Sequence, residues 1–257
     1  MTTPVPQTLN PVEYEAPLVN PSPNGLYPVT AWTDEAVTRW LAEGVRVRLH
    51  NYGGEAAFGV WDAPWCGDPG DSIKDGERPE NGEPFDPITA WAYDQCDLTP
   101  ASRQETVDRA LQNLRLIVQT AVEREFSARL LADAGTPATA ADIVAAVSHI
   151  EAEFAKTNTT GLIHASAGLA AYAQRYGLII RTGGTLKSPL GHTWVFGGGY
   201  VEGLGQTIVG TSPTFGWRSE ISQRSTEETR YNQFVAVAEQ SVVIGYEKSI
   251  GAATISA

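Results

Sequence analysis

The stretch HASAG, His164 to Gly168, comes closest in this chain to a nucleophile motif. A serine nucleophile needs a neighbouring base to take its proton. It also needs a tight strand-to-helix turn to present its oxygen, and in G-x-S-x-G a small residue two places earlier permits that turn. His164 occupies that place here, and Ser166 serves equally well as the N-cap of a following helix. Two readings stand side by side: a hydrolase using Ser166 with His164 or His192, and a capping serine with no chemistry.

The other reactive side chains are scattered. His50, His149, His164 and His192 lie on separate predicted elements with no acid or cysteine at ligand spacing. Cys66 and Cys96 match no metal pattern and either pair or stay reduced. TGGTLKS and FGGGY are glycine-rich but lack the G-K-[ST] that closes a phosphate loop. Nine acids lie between Asp68 and Asp97 against Lys74 and Arg78, in a spacing that fits no EF-hand. No catalytic residue, cofactor or metal site is assigned.

Composition narrows the classes further. The chain has 257 residues, 42% hydrophobic and 19% charged, with a formal net charge of −12. That is globular, and the acidity disfavours readout of nucleic acid or attachment to an acidic membrane surface. No apolar run approaches the ~18 residues of a membrane span, and no signal peptide is expected from the Thr- and Pro-rich start. NTT at Asn158 is formally a glycosylation acceptor, without weight unless the chain is secreted.

Seven of the sixteen prolines fall in residues 1–30, which predicts an extended arm carrying Leu9, Tyr14, Leu18, Leu26 and Tyr27. A short helix is expected from Thr33, as N-cap, to Glu43, stopped by Gly44. In VRVRLHNYGGEAAFGVW, Val45, Val47 and Leu49 alternate with Arg46, Arg48 and His50, predicting a strand. Asn51 to Gly54 reads as the turn and Glu55 to Trp61 as the returning partner. Such a hairpin lacks a core of its own. Residues 62–98 read as an irregular acidic loop. Five of the seven tryptophans (Trp32, Trp40, Trp61, Trp65 and Trp91) precede residue 92, and their hosts are expected partly on another subunit.

SRQE, Ser102 to Glu105, is a capping box that opens a helix of about thirty residues, roughly 45 Å. Val107, Leu111, Leu114, Val118, Val122, Phe126 and Leu130 lie on its apolar face, and it ends near Gly135. A second helix is predicted from Ala140 to Lys156, then a strand in GLIHAS and a helix from Ser166 to Tyr176. Short strands with glycine turns follow from Leu178. The terminal stretch Gln233–Ser256 reads as one very long strand, of which Asn232 to Tyr246 alone would span about 50 Å. Gln240, Ser241 and Gly245 mark a bend or bulge, and apolar residues on both faces predict cover on both sides.

This order of elements resembles the major capsid proteins of tailed phages, a shell fold shared with encapsulins. The resemblance is carried by ADIVAAVSHIEAEF, TTGLIHASAGLAAYAQRYGLI and GGTLKSPLGHTWVFGGGY, and by SPTFGWRSEISQRSTEETRYNQFVAVAEQSVVIGYEKSIGAATI. It implies an α+β, tailed-phage major-capsid-like fold with an N-terminal arm (1–44), an extended hairpin and acidic loop (45–98) and a long spine helix opening the peripheral domain (99–138). An axial domain (139–214) and the return strands of the peripheral domain (215–257) complete it. The function it implies is a non-enzymatic subunit of an icosahedral head, made in the host cytoplasm and resident in the virion. Partners would be itself in pentamers and hexamers, portal, scaffold or decoration proteins, and packaged double-stranded DNA without sequence-specific contact; no membrane and no cofactor is implied. The expected subunit interface is the hairpin: Arg46, Arg48, His50, Asn51, Tyr52, Gly53, Gly54, Phe58 and Trp61. Some family members cross-link a hairpin lysine to a neighbouring asparagine, but no lysine lies between Val45 and Trp61 and Lys74 is poorly placed for it. The alternatives are an encapsulin-like compartment, a minor vertex protein, or the Ser166 hydrolase.

Overall fold

The computed structural model describes residues 12, 14–33, 39–63, 65–68, 70 and 73–256. Its strands are β1 (Ala31–Thr33), β2 (Ile88–Cys96), β3 (Ala138–Ala140), β4 (Leu162–Ser166), β5 (Ile180–Thr182), β6 (Thr185–Lys187), β7 (Thr193–Gly197), β8 (Thr207–Thr211), β9 (Thr214–Arg218), β10 (Ser222–Glu228), β11 (Gln233–Tyr246) and β12 (Ser249–Ile255). Its helices are α1 (Arg39–Glu43), α2 (Pro100–Ala134), α3 (Ile143–Thr157), α4 (Ala170–Arg175) and α5 (Tyr200–Gly203).

α2 has 35 residues, about 52 Å at 1.5 Å per residue. The expected face is the buried one: Leu114, Val122 and Leu130 are fully covered and Phe126 nearly so. The helix starts earlier than the capping box predicts. Pro100 takes the first turn, where its missing N–H is no loss, and Thr99 precedes it with no side-chain cap of its own. Asp97 instead accepts from the Thr99 amide at 2.8 Å.

One face of α2 covers a five-stranded sheet. β11 is its centre, with β2 along one edge and β9 followed by β10 along the other; β1 adds in parallel to β9. β9 and β10 behave as one bulged strand. Arg218 faces Val242 and Ser222 faces Glu239, so three residues oppose two. The Ser219 amide donates to the Ser241 carbonyl at 2.9 Å and Gln240 Nε2 donates to the Ser219 carbonyl at 2.9 Å. The bulge thus lies at the Gln240–Ser241 position read from the sequence, with the extra residue on the facing strand.

The terminal stretch is two strands rather than one. β11 ends at Tyr246, and after Glu247 and Lys248 the chain enters a second sheet of order β3–β12–β8–β4–β7–β6–β5. Cover on both faces of β11 holds only from Val242 to Tyr246; in its first half Phe234, Ala236 and Ala238 are buried against α2 while Val235 and Val237 are half-buried. β2, within the stretch read as irregular, is a correction. In ITAWAYDQC, Ala90 and Ala92 face the core and Trp91 and Tyr93 face outward, a period-two pattern masked by the surrounding acids.

The seven-stranded sheet separates two cores. Leu162, Val195, Val209 and Ala252 join the α2 side. Ile163, Ala165, Trp194, Phe196 and Ile208 pack with Ile143, Val147, Ile150 and Phe154 of α3 on the other. Asp142 caps α3 by accepting from the Ala145 amide at 2.8 Å, so the helix begins at Ile143, three residues later than predicted. Thr33 is likewise not an N-cap: it pairs in β1 with Trp217, and the helix near it covers Arg39–Glu43, residues 34–38 lying outside the described residues, as do residues 1–11 with Leu9.

FGGGY finds its meaning here. Glu123 of α2 is fully buried and reaches two backbone segments at once. Oε1 accepts from the Leu26 amide at 2.8 Å and Oε2 from the Gly199 amide at 3.0 Å. A Cβ on Gly199 would stand 2.2 Å from the Thr120 carbonyl oxygen, and one on Gly25 2.3 Å from Glu123 Oε1. The glycines let the backbone approach a buried carboxylate rather than a phosphate.

Candidate assembly site

The two strands expected in 45–61 do not form. Val45 makes an isolated bridge with Phe85, and Glu55–Ala57 is one 3-10 turn. The alternation itself is real: Val45, Val47 and Leu49 are half-buried while Arg46, Arg48 and His50 are exposed. It arises because this limb lies beside a return limb at residues 76–85 rather than 55–61. Three contacts mark the two limbs: Val45 with Phe85 at 2.9 and 2.8 Å, the Leu49 amide with Asn81 Oδ1 at 3.1 Å, and the Glu77 amide with the Ala56 carbonyl at 3.0 Å. The acidic stretch is therefore one side of an extended loop from Val45 to Phe85. Asn51–Gly54, read as the turn, lies on the outgoing limb, where Gly54 at φ +75° bends the chain, and the loop turns only beyond the Ala56–Glu77 contact.

The root is fixed to the body by charged side chains that bind backbone. Arg129 of α2 donates to the carbonyls of Pro84 at 2.6 Å and Glu83 at 2.9 Å, and its guanidinium lies 4.2 Å above the Phe85 ring. Phe85 in turn packs edge-on against Tyr246 at 5.0 Å. Glu247, in the β11–β12 connection, accepts from the amides of His50 and Asn51 and from Asn51 Nδ2, the last two at 2.6 Å.

Beyond the root, apolar side chains face solvent. Phe58 is 78% exposed, Val60 85%, Trp65 95% and Ile73 75%, with Trp61 partly covered by Lys74, whose Nζ sits 4.8 Å above its ring. His50, Gly53, Phe58 and Trp61 line one concavity of about 890 Å³. Arg46 lines a different depression with Trp40 and Trp217. Arg48 and Gly54 are exposed, and Tyr52 is half-buried. Of the expected interface residues, His50, Gly53, Phe58 and Trp61 share that concavity, and His50, with Asn51, also meets Glu247. Val60, Ile73 and Tyr93, the last on the open face of the five-stranded sheet, are additions, while Trp65 and Trp91, the latter 64% exposed, were among the tryptophans expected to find hosts on another subunit. Trp40 is buried and Trp32 half-buried against their own chain.

The residues of the hydrolase reading hold other positions. Ser166 Oγ accepts from the Gly168 amide at 3.2 Å. Both ring nitrogens of His164 are engaged, Nδ1 with the Tyr200 hydroxyl at 3.1 Å and Nε2 with Thr211 Oγ1 at 2.8 Å. Burial pushes its pKa down to about 3, which keeps it neutral. His192 stacks on Phe154 at 4.1 Å, and its Nδ1 accepts from the Gly161 amide. Among the described residues, neither His164 nor His192 is hydrogen-bonded to Ser166 Oγ.

No protein-family model and no curated protein sequence matches this chain. Solved structures do. The holo-SrpI encapsulin complex from Synechococcus elongatus PCC 7942 superposes with a TM-score of 0.56 at 12% identity, over 96% of this chain and 92% of that one. The mature capsid of bacteriophage PhiM1 gives 0.51 at 12% identity over 97% and 91%. The structure titled Gordonia phage Cozz gives 0.50 at 13% identity over 95% and 90%. The chain has the α+β fold of tailed-phage major capsid proteins and encapsulins.

Proposed function

We propose that this chain is a shell-forming structural subunit that assembles through five- and sixfold rings into the icosahedral head of a tailed phage around its DNA. The observation that carries it is the extended loop. Its tip presents Phe58, Val60, Trp65 and Ile73 to solvent, and apolar side chains gathered around one concavity call for cover that the described residues do not supply. The loop, with Arg46, Arg48, His50, Asn51, Tyr52, Gly53, Gly54, Phe58 and Trp61, would lie across a neighbouring subunit, and the N-terminal segment with exposed Tyr14 and Leu18 across the same or another one. A specific contact of this kind buries upwards of about 1,000 Å², and closed symmetry makes many modest contacts sufficient. Portal, scaffold or decoration partners and the packaged DNA belong to the same reading. At −12, the chain would tolerate DNA in the lumen rather than grip it.

The superposition on an encapsulin shell supports a second reading, a compartment enclosing a protein cargo. Electron microscopy of the purified chain tests the shared claim: closed shells or five- and sixfold rings are expected, and a stable monomer with an ordered loop overturns it. Particles from the native host then divide the two readings by content, nuclease-protected double-stranded DNA for a head and protein for a compartment.

A further inference from the structure

The loop meets the body at two separated points on its outgoing limb. At Val45 it is bridged to Phe85, which Arg129 and Tyr246 hold. Five and six residues further out, His50 and Asn51 are gripped by Glu247. A lever fixed at one point pivots; fixed at two points, it keeps one angle. We propose that Glu247 is the latch of a hinge at Val45–Phe85, and that releasing it frees the loop to pivot and meet neighbours at more than one angle. The proposal rests on the loop being an inter-subunit arm, where fivefold and sixfold rings present neighbours at different angles.

The chemistry of the contact suits a latch. Two amides and one side-chain amide converge on a carboxylate, so both oxygens act as acceptors, and charge-assisted bonds of this kind are among the stronger ones. The carboxylate binds main chain, so it sets the position of the limb rather than the orientation of a particular side chain. Burial works to raise its pKa, but the bonds from the Asn51 side chain, the Asn51 amide and the His50 amide, with the His50 charge, hold it below the ordinary 4.5. A group depressed in the folded state stabilises above its unfolded value and loses that contribution as the pH falls through the folded value. The latch therefore opens in acid. The charged groups facing it are His50 on the loop, Lys248 beside it, and Arg129, Asp133, Glu80 and Glu83 around the adjoining concavity. Protonating His50 adds attraction, so the release belongs to Glu247 itself.

Amide hydrogen exchange of the unassembled chain reads the latch directly, because the His50 and Asn51 amides are its donors. At neutral pH, Glu247→Ala is expected to speed exchange at those two amides at least tenfold, with α2 amides unchanged. Wild type should show the same local acceleration, after correction for intrinsic rates, only once the pH falls below the ordinary carboxyl range, and Glu247→Ala should show no further change there. Unchanged exchange at His50 and Asn51 overturns the latch, and so does equal acceleration along α2, which would mark Glu247 as a general stability residue. If Glu247→Ala does not fold, Asn51→Ala removes one donor from the loop side and should speed the same amides by a smaller factor. Particle formation is scored separately. Failure of wild type to form shells sinks the assembly reading and leaves the exchange result standing, whereas unaltered shell diameters and subunit angles for Glu247→Ala sink the latch's role in assembly.

Discussion

Glu123 on α2 and Leu26 in the N-terminal segment are joined across 97 positions of sequence by one hydrogen bond, the Leu26 amide donating to Oε1 at 2.8 Å. The same carboxylate takes the Gly199 amide at 3.0 Å. One side chain thereby ties the arm and the β7–α5 turn to the long helix. Replacing it with alanine strands buried donors, each at about 1–3 kcal/mol, so Glu123→Ala should be severely destabilised in denaturant unfolding, whereas Glu123→Gln keeps an acceptor and should lose less. Burial raises the Glu123 pKa above 4.5 against the opposing bonds from Leu26 and Gly199. Its folded value then exceeds its unfolded one, so its contribution is fullest in acid and declines as the pH rises through the folded value. The stability gap between wild type and Glu123→Gln should narrow from acid towards neutral pH; a widening gap would contradict this sign.

Adjacent glycines should differ sharply. A Cβ on Gly199 would sit 2.2 Å from the Thr120 carbonyl oxygen, while one on Gly198 meets Thr120 Oγ1 at 3.4 Å. Gly199→Ala forces backbone apart and should cost upwards of about 3 kcal/mol. Gly198→Ala should stay within about 1 kcal/mol of wild type, since only a side chain must give. Thermal melts of the two variants decide it.

His164 supplies a second pH dependence, of opposite sense to that of Glu123. Held neutral with a pKa near 3, it takes up a proton on unfolding once the pH drops below about 6.5. Stability should fall by about 1.4 kcal/mol for each pH unit between those values on account of this residue. The difference between wild-type and His164→Gln unfolding curves isolates it, because other groups titrate in both. A flat difference would mean that the ring is wet.

Trp65 and Phe58 should matter for association and not for folding. At 95% and 78% exposure, truncating them to alanine should alter unfolding free energy by no more than about 0.5 kcal/mol. Sedimentation of the same variants should show a loss of large particles or rings. Full assembly of the double variant would remove the loop tip from the interface.

The long elements were legible because their signals are local and repeated. Leu114 to Leu130 on α2, Ile143 to Phe154 on α3 and the run from Phe234 to Ile244 each repeat at the period of their structure. What was lost depended on distance in sequence. β2 has only four outward positions between acids, and its partner lies about 150 residues away. The return limb of the loop shows no apolar alternation, because Asn81 and Glu77 meet the other limb through backbone and amide groups. Glu123 and Glu247 look like any of the thirty acids until the fold brings amides to them. FGGGY was read only as glycine-rich and without a phosphate-loop signature; that its backbone meets a buried carboxylate depends on Glu123, 76 residues before Gly199.

The passage from β11 to β12 through Glu247 and Lys248 has a mechanical side. β11 is zipped into one sheet and β12 into the other, so the joint between the sheets is covalent main chain, and tension along a strand reaches it through the backbone. A pull in that direction loads the hydrogen-bond ladders in shear, many bonds at once, instead of peeling them singly. Side-chain packing alone would let the two halves slide; the covalent link through Glu247 and Lys248 ties the sheets in tension, and the extended loop is held at that same link by Glu247.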